Sequence, residues 1–179
     1  MTLQNDLVRE NLATLTQAID LLAQLTDQLY GNNENVRFQS GAGKHMRHVM
    51  DFYSAFLDGL PAGIIDYDAR GRHPELESSR KAAAAKLREL RARIETIDAL
   101  DREVTCKNDG DRRDPATAFS RSTIGRELQF LASHTVHHFA IVAMILDRQG
   151  FQTNRDFGVA PSTLVYWQKT GSGPTGATL

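Results

Sequence analysis

Apolar residues recur at steps of three and four along four stretches of this chain, with glycine and proline gathered between them. The first stretch, about Leu3 to Tyr30, carries Val8, Leu12, Leu15, Ile19, Leu22, Leu25 and Leu29. At about 3.6 residues per turn these fall on one face, so the stretch predicts an amphipathic helix. The second, about Gly43 to Leu60, presents Met46, Val49, Tyr53, Phe56 and Leu60 after a candidate cap at Ser40. The third, about Pro74 to Leu100, presents Leu76, Ala83, Leu87, Leu90, Ile94 and Ile97. Pro74 suits a first helical turn, where its missing N–H has no partner to lose. The alanines at 82–85 add helix propensity. The fourth runs from about Thr123 to Gln149 and closes on Gly150, as a helix stop should.

Between the third and fourth stretches, Val104–Lys107 and Ala116–Ser120 read as two short strands around an Asn108-Asp109-Gly110 turn. Four long helices with short joints predict an all-α fold, a four-helix bundle with a short irregular or β-hairpin insert between helices three and four. The expected organisation is one domain over residues 1–167 and a flexible tail over 168–179, which ends GSGPTGATL and offers little apolar surface.

Composition narrows the class. The chain has 179 residues, 21 Lys+Arg against 22 Asp+Glu, and a formal net charge of −1. A balance so close to zero gives no reason to expect a nucleic-acid partner, whose footprint is a basic excess. One cysteine, Cys106, excludes an intramolecular disulfide. Its distance in sequence from the histidine helices points to a structural thiol. The charged opening and the lack of a long apolar run predict no secretory signal and no membrane span, hence a cytoplasmic protein.

Histidine changes the picture. Of six, five lie on two predicted helices: His45 and His48 on the second, and His134, His137 and His138 on the fourth. At 100° per residue, His138 falls about 40° from His134, and Leu131, Ile141 and Ile145 lie in the same stripe, which is expected to face the core. Two imidazoles one turn apart on a buried face are costly unless each ring finds a partner. A metal ion is one such partner, because an H-x-x-x-H helix presents two nitrogens to one ion. The bland reading is a pair of hydrogen-bonded packing histidines. A third ligand would come from the second helix, and the helical wheel leaves it open. His45 lies about 50° from the centre of that helix's apolar face and His48 about 110°, which favours His45 as the core residue. His137 reads as a wall or packing residue, and His73, beside Pro74 in a charged loop, as an exposed turn residue.

The runs GKHMRHVMDFY, IDYDARGRHPELE, RELQFLASHTVHHFAIVAMIL and RDFGVAPSTLVYW resemble the DinB-like superfamily, from the first helix to about Trp167. The resemblance implies a four-helix bundle holding a divalent metal on three histidines, one from the second helix and an HxxxH pair from the last. Matched onto this chain, the pair is His134 and His138, and the second-helix ligand is His48, in RHVMD, with His45 as its alternative. Some relatives are thiol transferases or isomerases that use a low-molecular-weight thiol. Related domains serve sulfoxide synthases in which a second domain completes the site, a role that a bundle alone does not fill. Related bundles also form homodimers.

Three neutral histidines would leave zinc, nickel or iron with an open position, where a bound water or thiol is activated. Hydrolysis and thiol transfer both follow from that geometry, acting on a small-molecule substrate. Asp51, three residues after His48, is a candidate to orient a ligand imidazole. Asp66, Tyr67, Asp68, Arg70 and Arg72 form a polar connection whose arginines suit a substrate carboxylate or phosphate, or else a solvated loop. The competing expectations are a metal-dependent enzyme of thiol-transferase or hydrolase type, a non-catalytic metal-binding stress-response protein, and a purely structural bundle.

Overall fold

The computed structural model describes residues 3–34, 40–69, 71–107 and 119–173. Along them the chain forms helices α1 (Leu3–Gln24), α2 (Asp27–Gly31), α3 (Ala42–Gly59), α4 (Glu75–Ser78), α5 (Arg80–Glu95), α6 (Ile124–Arg148) and α7 (Pro161–Thr170). Three short strands, β1 (Ile64–Asp66), β2 (Glu103–Lys107) and β3 (Ser120–Thr123), make one sheet. The four long helices share one apolar core: α1 packs on α5 and α6, and α3 packs on the same two.

The first and third predicted helices are each broken, and hydroxyl caps explain both breaks. Thr26 adopts extended backbone and its Oγ1 accepts from the Leu29 N–H, so α2 starts afresh after α1. Ser79 does the same with the Ala82 N–H and separates α4 from α5. Such oxygens satisfy N–H groups that a helix start leaves without partners. Helix α3 begins at Gly41 rather than on a Ser40 cap; the Gly41 N–H donates to Asn33 Oδ1. Thr123 caps α6, and Gly150 follows it with φ +80°, a left-handed conformation that suits glycine.

A buried polar tie joins three helices. Asn11 on α1 donates through Nδ2 to the Leu7 and Leu128 carbonyls, and its Oδ1 accepts from the Tyr53 hydroxyl. At the other end of α3, a Cβ on Gly43 would lie 1.9 Å from the Glu77 carbonyl oxygen, so only glycine lets α4 approach this closely. That approach places Glu77 2.6 Å from Arg47 Nε, and Arg47 also pairs with the buried Asp51.

The insert contains the antiparallel pair β2–β3, in register Val104↔Ser122. The second strand starts at Ser120, later than expected, and runs directly into α6. The Asn108-Asp109-Gly110 turn and residues 116–118 lie outside the described residues. Strand β1 joins β2 in parallel, with Ile65 opposite Cys106, an arrangement the sequence pattern does not predict. Helix α7 is likewise additional to the four expected. Its approach passes close against α6 at Gly158, φ +73°, where a Cβ would lie 2.5 Å from the Ala140 nitrogen. There Phe157 stacks on Phe139 at 4.6 Å.

Helix α6 is long and apolar enough to cross a membrane by length and composition, but it carries Leu128, Leu131, Val142 and Leu146 into the shared core. Its core face is not centred where the sequence reading put it. Thr135, Leu128 and Leu146 are buried, which places the centre about 100° around the helix from His134. Leu131 and Ile145 are buried as expected, whereas Ile141, on the histidine side, is only half-buried. His134 and His138 therefore sit at the edge of the core rather than in its middle.

Candidate metal centre

Helices α3 and α6 pack together, and each turns a histidine-bearing edge toward the other. One ring nitrogen from each of His48, His134 and His138 lies within 4.8 Å of the other two. The Nε2 atoms of His134 and His138 are 3.1 Å apart, the consequence of their four-residue spacing on a helix. The ring centroids of His48 lie 4.6 Å from those of His138 and 5.2 Å from those of His134. All three rings are half-buried.

An aromatic wall backs the cluster. Phe52, one turn after His48, lies 4.3 Å from the His134 ring and 4.7 Å from that of His48. Phe130, one turn before His134, stacks on it at 5.4 Å. Tyr67 stacks on Phe52 at 5.1 Å and donates its hydroxyl to Glu127 Oε2 at 2.9 Å. Burial, then the charge of Glu127, raises the Tyr67 hydroxyl well above its usual pKa. Tyr67 is fully buried although its loop reads as polar. The sequence places Tyr67 in that polar connection rather than in an aromatic wall, and it does not single out the two phenylalanines. The only signal for Phe52 and Phe130 is their spacing of four from a histidine on the same helix.

The cluster suits a cation binder in one respect that the sequence does not reveal. The His138 pKa is lowered to about 3, first by burial and then by the neighbouring His134, His48, His45 and His137. An imidazole kept neutral in this way keeps a lone pair free for coordination. His45 is also lowered, by burial first and then by His137. It does not enter the triad. Its Nδ1 lies 2.9 Å from Nδ1 of His138, the other ring nitrogen from the one that faces His134, and its Nε2 lies 3.3 Å from Ser40 Oγ. His137 is exposed, with its ring against His138. His73 is exposed, 3.5 Å from Glu75.

Asp51, the candidate to orient an imidazole, is ion-paired with Arg47. The polar connection is tied down by Lys107, whose Nζ lies 3.8 Å from Asp66 and 3.7 Å from Asp68. Arg72 is exposed, and Arg70 lies outside the described residues. Cys106 is partly buried with Sγ 3.5 Å from Glu127 Oε1, and its thiol is pushed up to about 11 by burial and then by that carboxylate.

A relative from Rhizopus delemar named FK506-binding protein 5 is 29% identical over 157 residues. That match covers 87% of this chain but 38% of the relative, so the chain spans under two fifths of that protein's length. No solved structure matches the chain. The family profile described as DinB superfamily matches residues 6–142, well over half of the chain, and takes in all five histidines of α3 and α6: this protein belongs to the DinB superfamily.

Proposed function

We propose that the four long helices form a DinB-type bundle holding one divalent ion on His48, His134 and His138, and that the protein is a metal-dependent enzyme of thiol-transferase or hydrolase type. The observation that carries this reading is the convergence of three ring nitrogens from two packed helices within 4.8 Å. The donor set fits zinc, nickel or iron, which imidazole suits. Three neutral ligands would supply a Lewis-acidic ion with an open position for a water or a low-molecular-weight thiol. The chain's own groups would do the rest. His138 stays neutral into acid and so keeps its lone pair available. Phe52, Phe130 and Tyr67 close one side of the cluster against water. Tyr67 keeps its proton on the hydroxyl, held by Glu127.

The substrate is a small molecule in this reading, the protein is cytoplasmic, and two copies pair as a homodimer. A non-catalytic metal-binding role in a stress response is the second reading, favoured by the same triad if no position on the ion exchanges. Metal analysis of the purified protein comes first, followed by cobalt substitution and titration with small thiols. A visible spectrum that changes on thiol addition supports an open position. A spectrum indifferent to thiols, with no turnover of electrophiles or esters, favours the non-catalytic role. A protein that binds none of the three metals removes both.

A further inference from the structure

His45 stands 2.9 Å from His138, Nδ1 to Nδ1. At that separation one nitrogen must carry the hydrogen and the other must accept it. The remaining nitrogens decide which. His138 turns its Nε2 toward His134, 3.1 Å away, and so toward the triad. His45 turns its Nε2 toward Ser40 Oγ at 3.3 Å. The two nitrogens of one imidazole point to opposite edges of the ring, so an ion met by Nε2 of His138 is out of reach of its Nδ1. Coordination through Nε2 requires that nitrogen to be bare, which puts the hydrogen on Nδ1.

We infer that His45 is a positioning residue: its Nδ1 accepts the Nδ1–H of His138, fixing that ring's tautomer and aiming its Nε2 at the point shared with His48 and His134. His45 is then itself the Nε2–H tautomer and donates to Ser40. The partner behind a ligand imidazole is usually a carboxylate, backbone carbonyl or water. Here it is a second neutral imidazole, which orients the ligand without adding negative charge to the site. The loop that places His45 is held independently, because Asn33 Oδ1 accepts the Gly41 N–H and a Cβ on Gly41 would collide with the Asn32 carbonyl at 2.1 Å. The one-turn spacing of His45 and His48 thus gives two roles on one helix, one facing the triad and one standing behind it.

This inference rests on the metal reading above, and the experiment separates the two. The full chain, with histidines labelled by ¹⁵N, is loaded with zinc, and each ring's tautomer is read by NMR. Zinc affinity is measured by chelator competition for wild type, His45→Phe, His45→Asn and His48→Phe. The expected pattern in wild type is His138 protonated at Nδ1, with a slowly exchanging downfield proton, and metallated at Nε2. His45→Phe keeps a ring but no acceptor, and should weaken zinc binding about 10–100-fold and broaden that proton. His45→Asn restores an acceptor near Nδ1 and should recover most of the affinity, whereas His48→Phe should lose much more than His45→Phe. Wild type with His138 metallated through Nδ1 overturns the inference, even if His45→Phe does not fold. So does wild-type affinity in His45→Phe, or a loss in His45→Phe larger than in His48→Phe with no recovery in His45→Asn, which would make His45 a ligand. A wild type that binds no zinc removes the metal reading and this inference with it.

Discussion

The Tyr53 hydroxyl donates to Asn11 Oδ1 at 2.7 Å with both residues fully buried. Through Asn11 Nδ2, 3.0 Å from the Leu128 carbonyl, the same contact reaches α6. Tyr53→Phe removes the donor and leaves a buried amide oxygen short of a partner, which costs about 1–3 kcal/mol. Asn11→Ala should cost more, because a cavity is added to the lost bonds. Urea unfolding of the two variants measures both. A loss below about 0.5 kcal/mol for Tyr53→Phe would mean that this tie does not hold the three helices.

The helix faces were readable because the apolar stripes of α1, α3 and α5 are the residues now found in the core. Leu15, Leu22, Val49, Phe56, Leu87 and Ile94 are all buried. The breaks at Thr26 and Ser79 were passed over because apolar residues continue on both sides of each cap, so periodicity alone runs through them. Strand β1 was not legible, since three residues show no alternation and their partners on β2 lie about forty positions away. The HxxxH pair was legible from its spacing together with its apolar surroundings and the second histidine-bearing helix. The choice between His45 and His48 was not: the helical wheel favours His45, and only the packing of α6 on α3 brings His48 to the pair.

Rotation of α6 relative to the expected stripe has a measurable consequence. Leu131 is fully buried, whereas Ile141 packs against the core from its edge. Leu131→Ala should cost about 2–5 kcal/mol. Ile141→Ala should cost distinctly less, since part of its side chain already meets solvent. Equal losses in chemical denaturation would put the core face back on the His134 side.

Cys106 offers a test through pH. Its thiol is raised from 9.0 to about 11, by burial and then by Glu127. The thiolate is the reactive form, so alkylation at pH 8 should run roughly a hundredfold slower than for an otherwise similar thiol of unshifted pKa. The rate should climb about tenfold per pH unit toward pH 11. Glu127→Gln removes the neighbouring charge and should move the profile to lower pH without restoring it fully, because burial persists. The check is iodoacetamide labelling followed by mass spectrometry across that range. A plateau near pH 9 in wild type would show the thiol to be solvated and away from the carboxylate.

Metal should stabilise the folded chain only through the triad. An ion that binds the native state at a hundredfold excess over its Kd adds about 2.7 kcal/mol. For a chain of this size that raises Tm by roughly 5–10 °C. The unfolded chain has no preformed site, so the gain reports coordination in the native fold. Chelation should leave the helices intact, because the core that α1, α3, α5 and α6 share is apolar and independent of the histidines. His134→Ala removes one of the two nitrogens that approach to 3.1 Å, and should abolish the metal-dependent rise while keeping the far-ultraviolet circular dichroism. His73→Ala removes an exposed ring on the loop before α4 and should keep the full rise. The measurement is a thermal melt at pH 7.5 of wild type and both variants, with added zinc or nickel and with chelator. Equal shifts in wild type and His134→Ala would mean that the ion binds elsewhere, and the triad would then be a packing arrangement of imidazoles between two helices.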